Sequence, residues 1–192
     1  TAVTHIGSSI LRQADDEVQK LGPNLVQVRA GHIRFGRTAT ATNVIGRTTT
    51  VSVDDAIAVR NSVPQVRDMA MFLQTSKRVR ADNVQTSGQV VGVTPSYAKV
   101  RSLDFLSGRF IIAHDELDLA MVCVLGSSLA ERLFDYPARA QDRDIYIGNG
   151  LFRVVGGLDA KGADFGGTSF DVQAFVPLAT YPRRHLNHPR TF

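Results

Sequence analysis

Two adjacent serines form the pattern in this chain that comes nearest to a nucleophile. Ser127 and Ser128 lie in the segment LGSSL, which resembles the strand-to-helix turn of serine hydrolases but lacks the second glycine of the G-x-S-x-G elbow. Ser128 also has Glu131 three residues later, which is the spacing of a capping box at a helix start. We therefore expect the two serines to cap a helix and not to attack a substrate.

Two histidines near residue 190 have a spacing that a helix would turn into a metal-binding pair. His185 and His188 lie in the segment HLNH, which supplies neither a third ligand nor the glutamate of a zincin helix. Asp159 and Asp164 do not have the spacing of a calcium loop. The sequence therefore predicts no metal site and no cofactor.

Two further segments carry groups that catalysis or anion binding uses. The segment GGLDAKGADFGG at 156–167 exposes backbone N–H groups, yet it matches neither phosphate-binding glycine motif, and we expect a flexible surface loop. Asp115, Glu116 and Asp118 form an acidic turn that no histidine-rich segment accompanies. Paired-carboxylate catalysis has no specific support, and we predict no catalytic residue in the chain.

Composition excludes several classes of protein. The 192 residues are 43% hydrophobic and 21% charged, as in an ordinary folded protein. The net charge is +4 but the basic residues are scattered and tryptophan is absent, so we predict no nucleic-acid partner. No apolar run approaches the ~18–20 residues that cross a bilayer. The single cysteine, Cys123, lies in the run LAMVCVLG, where we expect a buried small hydrophobe.

The elements of the first 75 residues begin with an amphipathic helix. Ile6, Ile10, Ala14 and Val18 form an apolar stripe, and Gly22 with Pro23 predicts the helix end. The segment NLVQVRA at 24–30 predicts a strand with Val26, Val28 and Ala30 on one side, and the segment 31–50 predicts a long loop. Ser52 and Asp55 predict a capped short helix that buries Ala56, Ile57 and Val59. With a strand predicted at 66–75, this order is typical of a split βαβ unit.

The rest of the chain is predicted to be mostly strands. The segment KRVRADNVQTSGQVVGVT indicates a hairpin that turns at Asp82 and Asn83, and DIYIGNGLFRVVG one that turns at Asn149 and Gly150. The segment AMVCVLGSSLAERLF predicts a buried strand that runs into a helix, and FDVQAFVPL predicts a late strand. Strands with short helices between them favour an α+β fold.

The order of these segments resembles the extracytoplasmic core domain of MacB-type ABC transporter permeases. The resemblance runs from about Asp15 to about Arg184, and the segments that carry it are DDEVQKLGPNLVQVRAG, TVSVDDAIAVRNSVPQVR, QVVGVTPSYAKVRSLDFLSGRFI, VCVLGSSLAERLF and IYIGNGLFRVVGGLDAKGADFGGTSFDVQAFVPLAT. It implies a split βαβ porter-like subdomain with an inserted β-rich, Sabre-like subdomain. Mapped onto this chain, residues 1–21 would be a stalk helix that continues from a transmembrane helix. Residues 22–83 would be the first porter half, and residues 84–192 the β-rich insertion and return segment.

The resemblance also implies a role and partners. The domain would lie on the periplasmic face of the inner membrane and couple ATP-driven motion of the membrane helices to export, with ATP hydrolysis in another domain or subunit. Its partners would be a second transporter subunit, a periplasmic adaptor protein and an outer-membrane channel. The apolar stripe of the stalk would contact the other stalk or a partner subunit. The alternative from the residues alone is a stand-alone soluble binding module or a weak hydrolase, which the glycine loop at 156–167 and the pair Ser127 and Ser128 suggest.

Three features depart from the family pattern. The segment DYPARAQDRDIYI lacks the glycine-containing turn that is usual before its strand, and Pro23 replaces a small polar residue. The chain also stops at Phe192, before the second porter half that the family supplies. An incomplete porter half leaves a sheet edge or an apolar face uncovered, so we expect some self-association in isolation.

Overall fold

A computed structural model of the protein describes residues 25–28, 32–35, 41–44, 53–135, 137–162 and 169–181. The chain divides into two compact units, one formed by residues 26–69 with 182–192 and the other by residues 1–25 with 70–181. The helix predicted at 6–21 and the pair His185 and His188 lie outside the described residues.

The first unit contains a short hairpin and a helix. Strands β1 (His32–Phe35) and β2 (Ala41–Val44) pair antiparallel, with His32 opposite Val44, and helix α1 spans Val53–Ser62. The prediction of one long loop over 31–50 is therefore wrong. The segments IRF and TNV are rich in β-branched and aromatic residues, which favour paired strands.

Two apolar patterns in this unit are not buried as predicted. Residues 25–28 form no strand, and Val26 and Val28 are 83% and 71% exposed. On α1, Ile57 and Val59 are 47% and 51% exposed, so the predicted helix forms but its apolar face is not covered. Alternation alone does not make a strand, because the hydrogen-bonding partner has to come from elsewhere in the chain.

The second unit supplies most of the regular structure. Its strands are β3 (Phe72–Ala81), β4 (Val84–Val93), β5 (Phe105–Gly108), β6 (Val122–Leu125), β7 (Asp144–Ile147), β8 (Gly150–Leu158) and β9 (Gln173–Pro177). Its helices are α2 (Tyr97–Val100), α3 (Ala113–Leu117) and α4 (Ser127–Phe134), and 3₁₀ turns occupy Pro137–Ala140 and Phe170–Val172. The strand predicted at 66–75 thus begins at Phe72, and the late strand at 173–177 is confirmed.

The strands of this unit form a mixed sheet that closes on itself. Their order is β5-β8-β6-β9-β4-β3-β7, and β8 pairs in addition with β7. The pairs β4–β9 and β6–β8 are parallel, and the other pairs are antiparallel. The pairing therefore runs in a circuit, with β5 beside the far end of β8. The predicted α+β class is confirmed.

One hydrophobic cluster fills the inside of this circuit. Every strand of the ring contributes a buried side chain to it, and these include Val79, Val90, Cys123, Ile145, Val154 and Val176. Leu129 and Leu133 of α4 pack among them. A second cluster covers the outer face of β4, β9 and β6, where Phe175 contacts Tyr97 and Phe110, and Phe170 belongs to the same cluster. Alternate residues of one strand thus enter different cores.

Both predicted hairpins form, with one change of turn. β3 and β4 turn at Asp82 and Asn83 as predicted, and Asp82 has a positive φ of 46°. The turn between β7 and β8 lies at Gly148 and Asn149, one residue earlier than predicted, because Gly148 supplies the positive φ of 59°. The predicted boundary between residues 83 and 84 falls at the first of these turns, inside the compact unit.

Candidate functional site

The serine pair lies at the start of α4, where a glycine makes the cap. Gly126 is the N-cap residue and no side-chain hydrogen bond caps the helix, so the capping box predicted for Ser128 and Glu131 is wrong. The Gly126 N–H donates to the Gln173 carbonyl at 2.8 Å, and a Cβ on Gly126 would lie 2.2 Å from the Phe170 carbonyl oxygen. This close approach of two backbones requires glycine.

Two other reactive side chains of the described part, His114 and Cys123, are paired or buried. His114 pairs with Asp118 at 2.8 Å. Cys123 is free and buried, which confirms the buried small hydrophobe predicted from the sequence, and burial raises the pKa of its thiol far above the ordinary value. Among the described residues, no group of three or more histidine, cysteine or acidic side chains is placed to hold a metal ion.

The glycine-rich segment uses its backbone N–H groups internally. The N–H groups of Lys161 and Gly162 donate to the two carboxylate oxygens of Asp171 at 3.0 and 3.1 Å, and the Asp171 N–H donates to Ser169 Oγ at 3.1 Å. A carboxylate of the chain itself thus takes the position that a bound phosphate would need. Residues 163–168 lie outside the described residues.

The acidic turn is helix α3, and its buried carboxylate fixes an arginine. The Arg109 guanidinium donates to both oxygens of Asp115 at 2.6 and 3.0 Å, and the Ile112 N–H donates to the same group at 2.9 Å. Burial opposes the charge of Asp115, but these hydrogen bonds and the attraction of Arg109 leave its pKa below the ordinary value. Asp115 is therefore a structural partner and has no free proton to exchange near neutral pH.

Glu116, the next residue, holds the chain where it leaves β9. Its two carboxylate oxygens accept the N–H groups of Leu178 and Ala179, the latter at 3.0 Å. Burial raises the pKa of Glu116 above its ordinary value, although the two hydrogen bonds act in the opposite direction. Each acidic side chain of α3 and the residue after it thus has a separate partner, and no catalytic carboxylate pair forms.

The incoming strand β3 and the outgoing strand β9 meet at one residue. Phe72 and Pro177 are both register partners of Val93, at the end of β4. Thr94 and Met71 exchange two hydrogen bonds, from the Met71 N–H to Thr94 Oγ1 at 3.0 Å and from the Thr94 N–H to the Met71 carbonyl at 3.1 Å. The connections at Ala70 and at Tyr181 are therefore separated by a single strand.

Tyr181, which follows β9, packs against the end of β4. A Cβ on Gly92 would lie 2.5 Å from Tyr181 Cδ2, so the ring packs directly on the glycine backbone. Burial raises the pKa of the Tyr181 phenol to about 12, against a hydrogen bond with Thr75 that lowers it. We call Met71–Phe72, Gly92–Thr94, Pro177–Tyr181 and Glu116 together the base of the unit.

Sequence reasoning did not identify the base as a site. Its hydrogen bonds join Glu116 to residues 178 and 179, and Met71 to Thr94, and no local pattern reports such distant partners. One signal was available: Gly92 interrupts the valine-rich end of β4, and a glycine inside a strand often marks the close approach of another group.

The described helices include none that is both long and apolar enough to span a membrane. Comparison with known proteins gives relatives over nearly the whole chain. The family model of MacB-like periplasmic core domains matches residues 1–191. A macrolide export ATP-binding/permease protein MacB from Bdellovibrio bacteriovorus is 28% identical over 175 residues, which is 91% of this chain and 26% of that protein. A pyoverdine export ATP-binding/permease protein PvdT from Pseudomonas putida is 26% identical over 183 residues, with 95% and 26% covered.

A solved structure shares the fold. The periplasmic region of MacB from Actinobacillus actinomycetemcomitans superposes with a TM-score of 0.62 at 16% identity, covering 76% of this chain and 63% of that one. The chain spans about a quarter of the length of the curated relatives above, at 26% of each. The chain belongs to the family of MacB-like periplasmic core domains and is an extracytoplasmic domain.

Proposed function

We propose that this chain is the extracytoplasmic domain of an ABC exporter permease, where it couples ATP-driven motion of the membrane helices to export. Family membership over residues 1–191 supports the exporter context. The names of the relatives, which are export ATP-binding/permease proteins, support it as well. ATP binding and hydrolysis belong to another domain or subunit, and the role of this chain is mechanical.

The observation that carries the coupling role is the base. A compact unit that is joined to the rest of the chain by two distant, loose segments rotates independently of them. A unit that is joined through two neighbouring strands moves together with both strands. Here β3 and β9 flank the same strand and share Val93 as a partner. Glu116, Thr94 and Tyr181 add contacts at that end. Displacement of the segments before Ala70 and after Tyr181 would therefore move the compact unit as one body.

Partners and domain division follow as parts of the same proposal. The intact transporter would be a homodimer that engages a periplasmic adaptor protein and, through it, an outer-membrane channel. Residues 1–21 would form the stalk, and the first porter half would end before Ala70 and not between residues 83 and 84, because β3 and β4 pair within one compact unit. The relatives are named for two different cargoes, macrolides and pyoverdine, so we propose an export role without choosing between them.

The test uses the full-length protein, reconstituted with its ATP-binding part and adaptor. Gly92→Ala places a methyl group against the Tyr181 ring and loosens the base, while Gly157→Ala, whose Cβ would meet only Ser107 Oγ at 3.4 Å, is the matched control. With a labelled macrolide and pyoverdine as probes, we expect Gly92→Ala to keep ATP hydrolysis and lose at least half of the export. Equal export by both variants would contradict the role of the base, and export of neither probe by the parent protein would contradict the exporter assignment.

A further inference from the structure

A cleft of about 590 Å³ opens on the outer face of the β3–β4 hairpin, away from the base. Its lining includes Arg78, Arg80, Gln85, Ser87, Tyr146 and Asn149. In register, Arg78 lies opposite Ser87, and Arg80 lies opposite Gln85 on one side and Tyr146 on the other. Val79, between the two arginines, and Ala81, after them, point into the core, so the two arginines share the outward face. We call this site the basic cleft.

The arginines of the basic cleft differ from other arginines of the same unit. Arg109, Arg143 and Arg153 each pair with an aspartate, at 2.6, 2.8 and 3.3 Å. Within the described part of the chain, neither Arg78 nor Arg80 has such a carboxylate partner.

The nearest acids on these strands are already paired. Asp82, two residues after Arg80, pairs with Arg143, and Asp144, two residues before Tyr146, pairs with Arg153. The cross-strand neighbours Gln85 and Ser87 are neutral. The positive charge of the cleft is therefore not neutralised by the face on which it lies.

The Arg80 side chain is held in place by an aromatic ring. Its guanidinium carbon lies 4.5 Å from the centre of the Tyr146 ring, within the range of a cation–π contact. Stacking occupies the flat face of the guanidinium and leaves its N–H groups free to point outward. Such a group is prepared for a bidentate bond to a carboxylate.

The backbone beside the cleft favours an extended peptide over a compact anion. The Gly148 N–H donates to the Arg78 carbonyl at 2.8 Å, so the backbone groups of Arg78 face β7, and those of Ser76 face the same way by alternation. β7 pairs with only Val79 and Arg80 of β3, and in the described part no strand lies beside Ser76 on that side. A strand added there would form backbone hydrogen bonds.

We propose that the basic cleft binds an extended acidic segment of a partner protein. Arg78 and Arg80 are two residues apart, so their side chains are about 6.7 Å apart along the strand. Carboxylates at alternate positions of an extended segment have the same spacing. The segment pairs with the β3 edge near Ser76, which β7 leaves open, and continues over the outward face of β3, where its two acids reach the two arginines. This binding is separate from the coupling role of the base.

The test measures peptide binding to the 192-residue chain by fluorescence anisotropy at physiological salt. The probe is a labelled, blocked hexapeptide, Thr-Glu-Val-Glu-Val-Thr, and its partner peptide has glutamine in place of both glutamates. We expect the acidic peptide to bind and the glutamine peptide to bind at least about tenfold more weakly, since hydrogen bonds to charged groups are the strong ones. The double variant Arg78→Gln with Arg80→Gln should bind the acidic peptide more weakly than the parent chain, by a similar factor.

The control variant removes the same net charge elsewhere. Arg60 and Arg132 are exposed on helices outside the cleft, and changing both to glutamine should alter binding less than twofold. Amide NMR spectra establish that both double variants keep the parent fold. Equal loss in the two double variants would overturn the proposal, as would absence of peptide binding. Inorganic phosphate and phosphatidylglycerol vesicles are tested as alternative ligands. Binding of either one that depends on Arg78 and Arg80, without binding of the peptide, would also overturn the proposal.

Discussion

Two neighbouring carboxylates in α3 have pKa values that are shifted in opposite directions, although burial acts in the same direction on both. Asp115 has a guanidinium beside it, and its pKa lies below the ordinary value, whereas Glu116 receives only backbone N–H groups, and burial raises its pKa. A full opposite charge offsets the loss of hydration, but two neutral donors do not offset it fully. The contribution of Asp115 to stability is therefore lost as pH falls, and that of Glu116 is lost as pH rises.

The first prediction concerns Glu116. Because its folded pKa is raised, its contribution to stability is fully present below the ordinary glutamate pKa, 4.5, and is lost as pH rises through the folded value. Glu116→Gln removes this titration. We expect the free energy of unfolding of the parent minus that of the variant to fall as pH rises above 4.5, measured by urea unfolding. A difference that stays flat or grows with pH would contradict the account.

The second prediction concerns the Arg109–Asp115 pair. Arg109→Ala leaves a buried carboxylate without its guanidinium, so we expect a loss of about 1–3 kcal/mol of unfolding free energy at neutral pH. The pKa of Asp115 is lowered in the folded parent, so its contribution is present above the ordinary aspartate pKa and is lost as pH falls through the folded value. The difference between parent and variant should therefore shrink in acid.

An exposed ion pair provides the control for the unfolding free energy of Arg109→Ala. Arg153 and Asp144 lie 3.3 Å apart with both side chains largely exposed. Arg153→Ala should cost less than about 1 kcal/mol, because solvent screens such pairs. A cost as large as that of Arg109→Ala would mean that burial of Asp115 is not the cause.

At the scale of elements, the sequence predicted correctly those turns and strands that depend on neighbouring residues. The Asp82–Asn83 turn and the strand that runs into α4 follow from turn residues and apolar runs, and both are present. The strand predicted at 24–30 and the loop predicted at 31–50 are wrong, since strand pairing depends on partners that a local pattern does not show. The base was missed for the same reason: Glu116 and Ala179 are 63 residues apart.

The third prediction tests the cap of α4. Gly126→Ala forces a methyl group to within 2.2 Å of the Phe170 carbonyl oxygen, so the backbone of the 3₁₀ turn has to move. We expect a loss of about 1–3 kcal/mol of unfolding free energy, the usual cost of overpacking, measured by urea unfolding. Gly157→Ala is the control, with an expected change well below that. Equal stability of the two variants would show that the two backbones are not held together at Gly126.

At the scale of the whole molecule, the described part of the first unit leaves apolar side chains uncovered. Ile57 and Val59 are about half exposed on α1, and an exposed apolar face of this kind favours association. This agrees with the self-association expected from the sequence, which stays a prediction.

The fourth prediction is therefore concentration-dependent association of the 192-residue chain through α1. We expect the weight-average mass in sedimentation equilibrium to rise with concentration, and Ile57→Ser with Val59→Ser to reduce that rise. Because both side chains are exposed, the double variant should keep its fold. A strictly monomeric parent at high concentration, or association that the double variant leaves unchanged, would contradict the prediction.

The central claim, that ATP-driven motion reaches the compact unit through its base, is tested most directly by one distance measurement in the full-length transporter. Asn83→Cys places a spin label on the exposed β3–β4 turn, whereas the native Cys123 is buried. We expect the distance distribution between the two labels of the dimer to shift between ADP and ATP states. The shift should disappear in Gly92→Ala. Identical distributions in the two nucleotide states of the otherwise unaltered protein would contradict the claim.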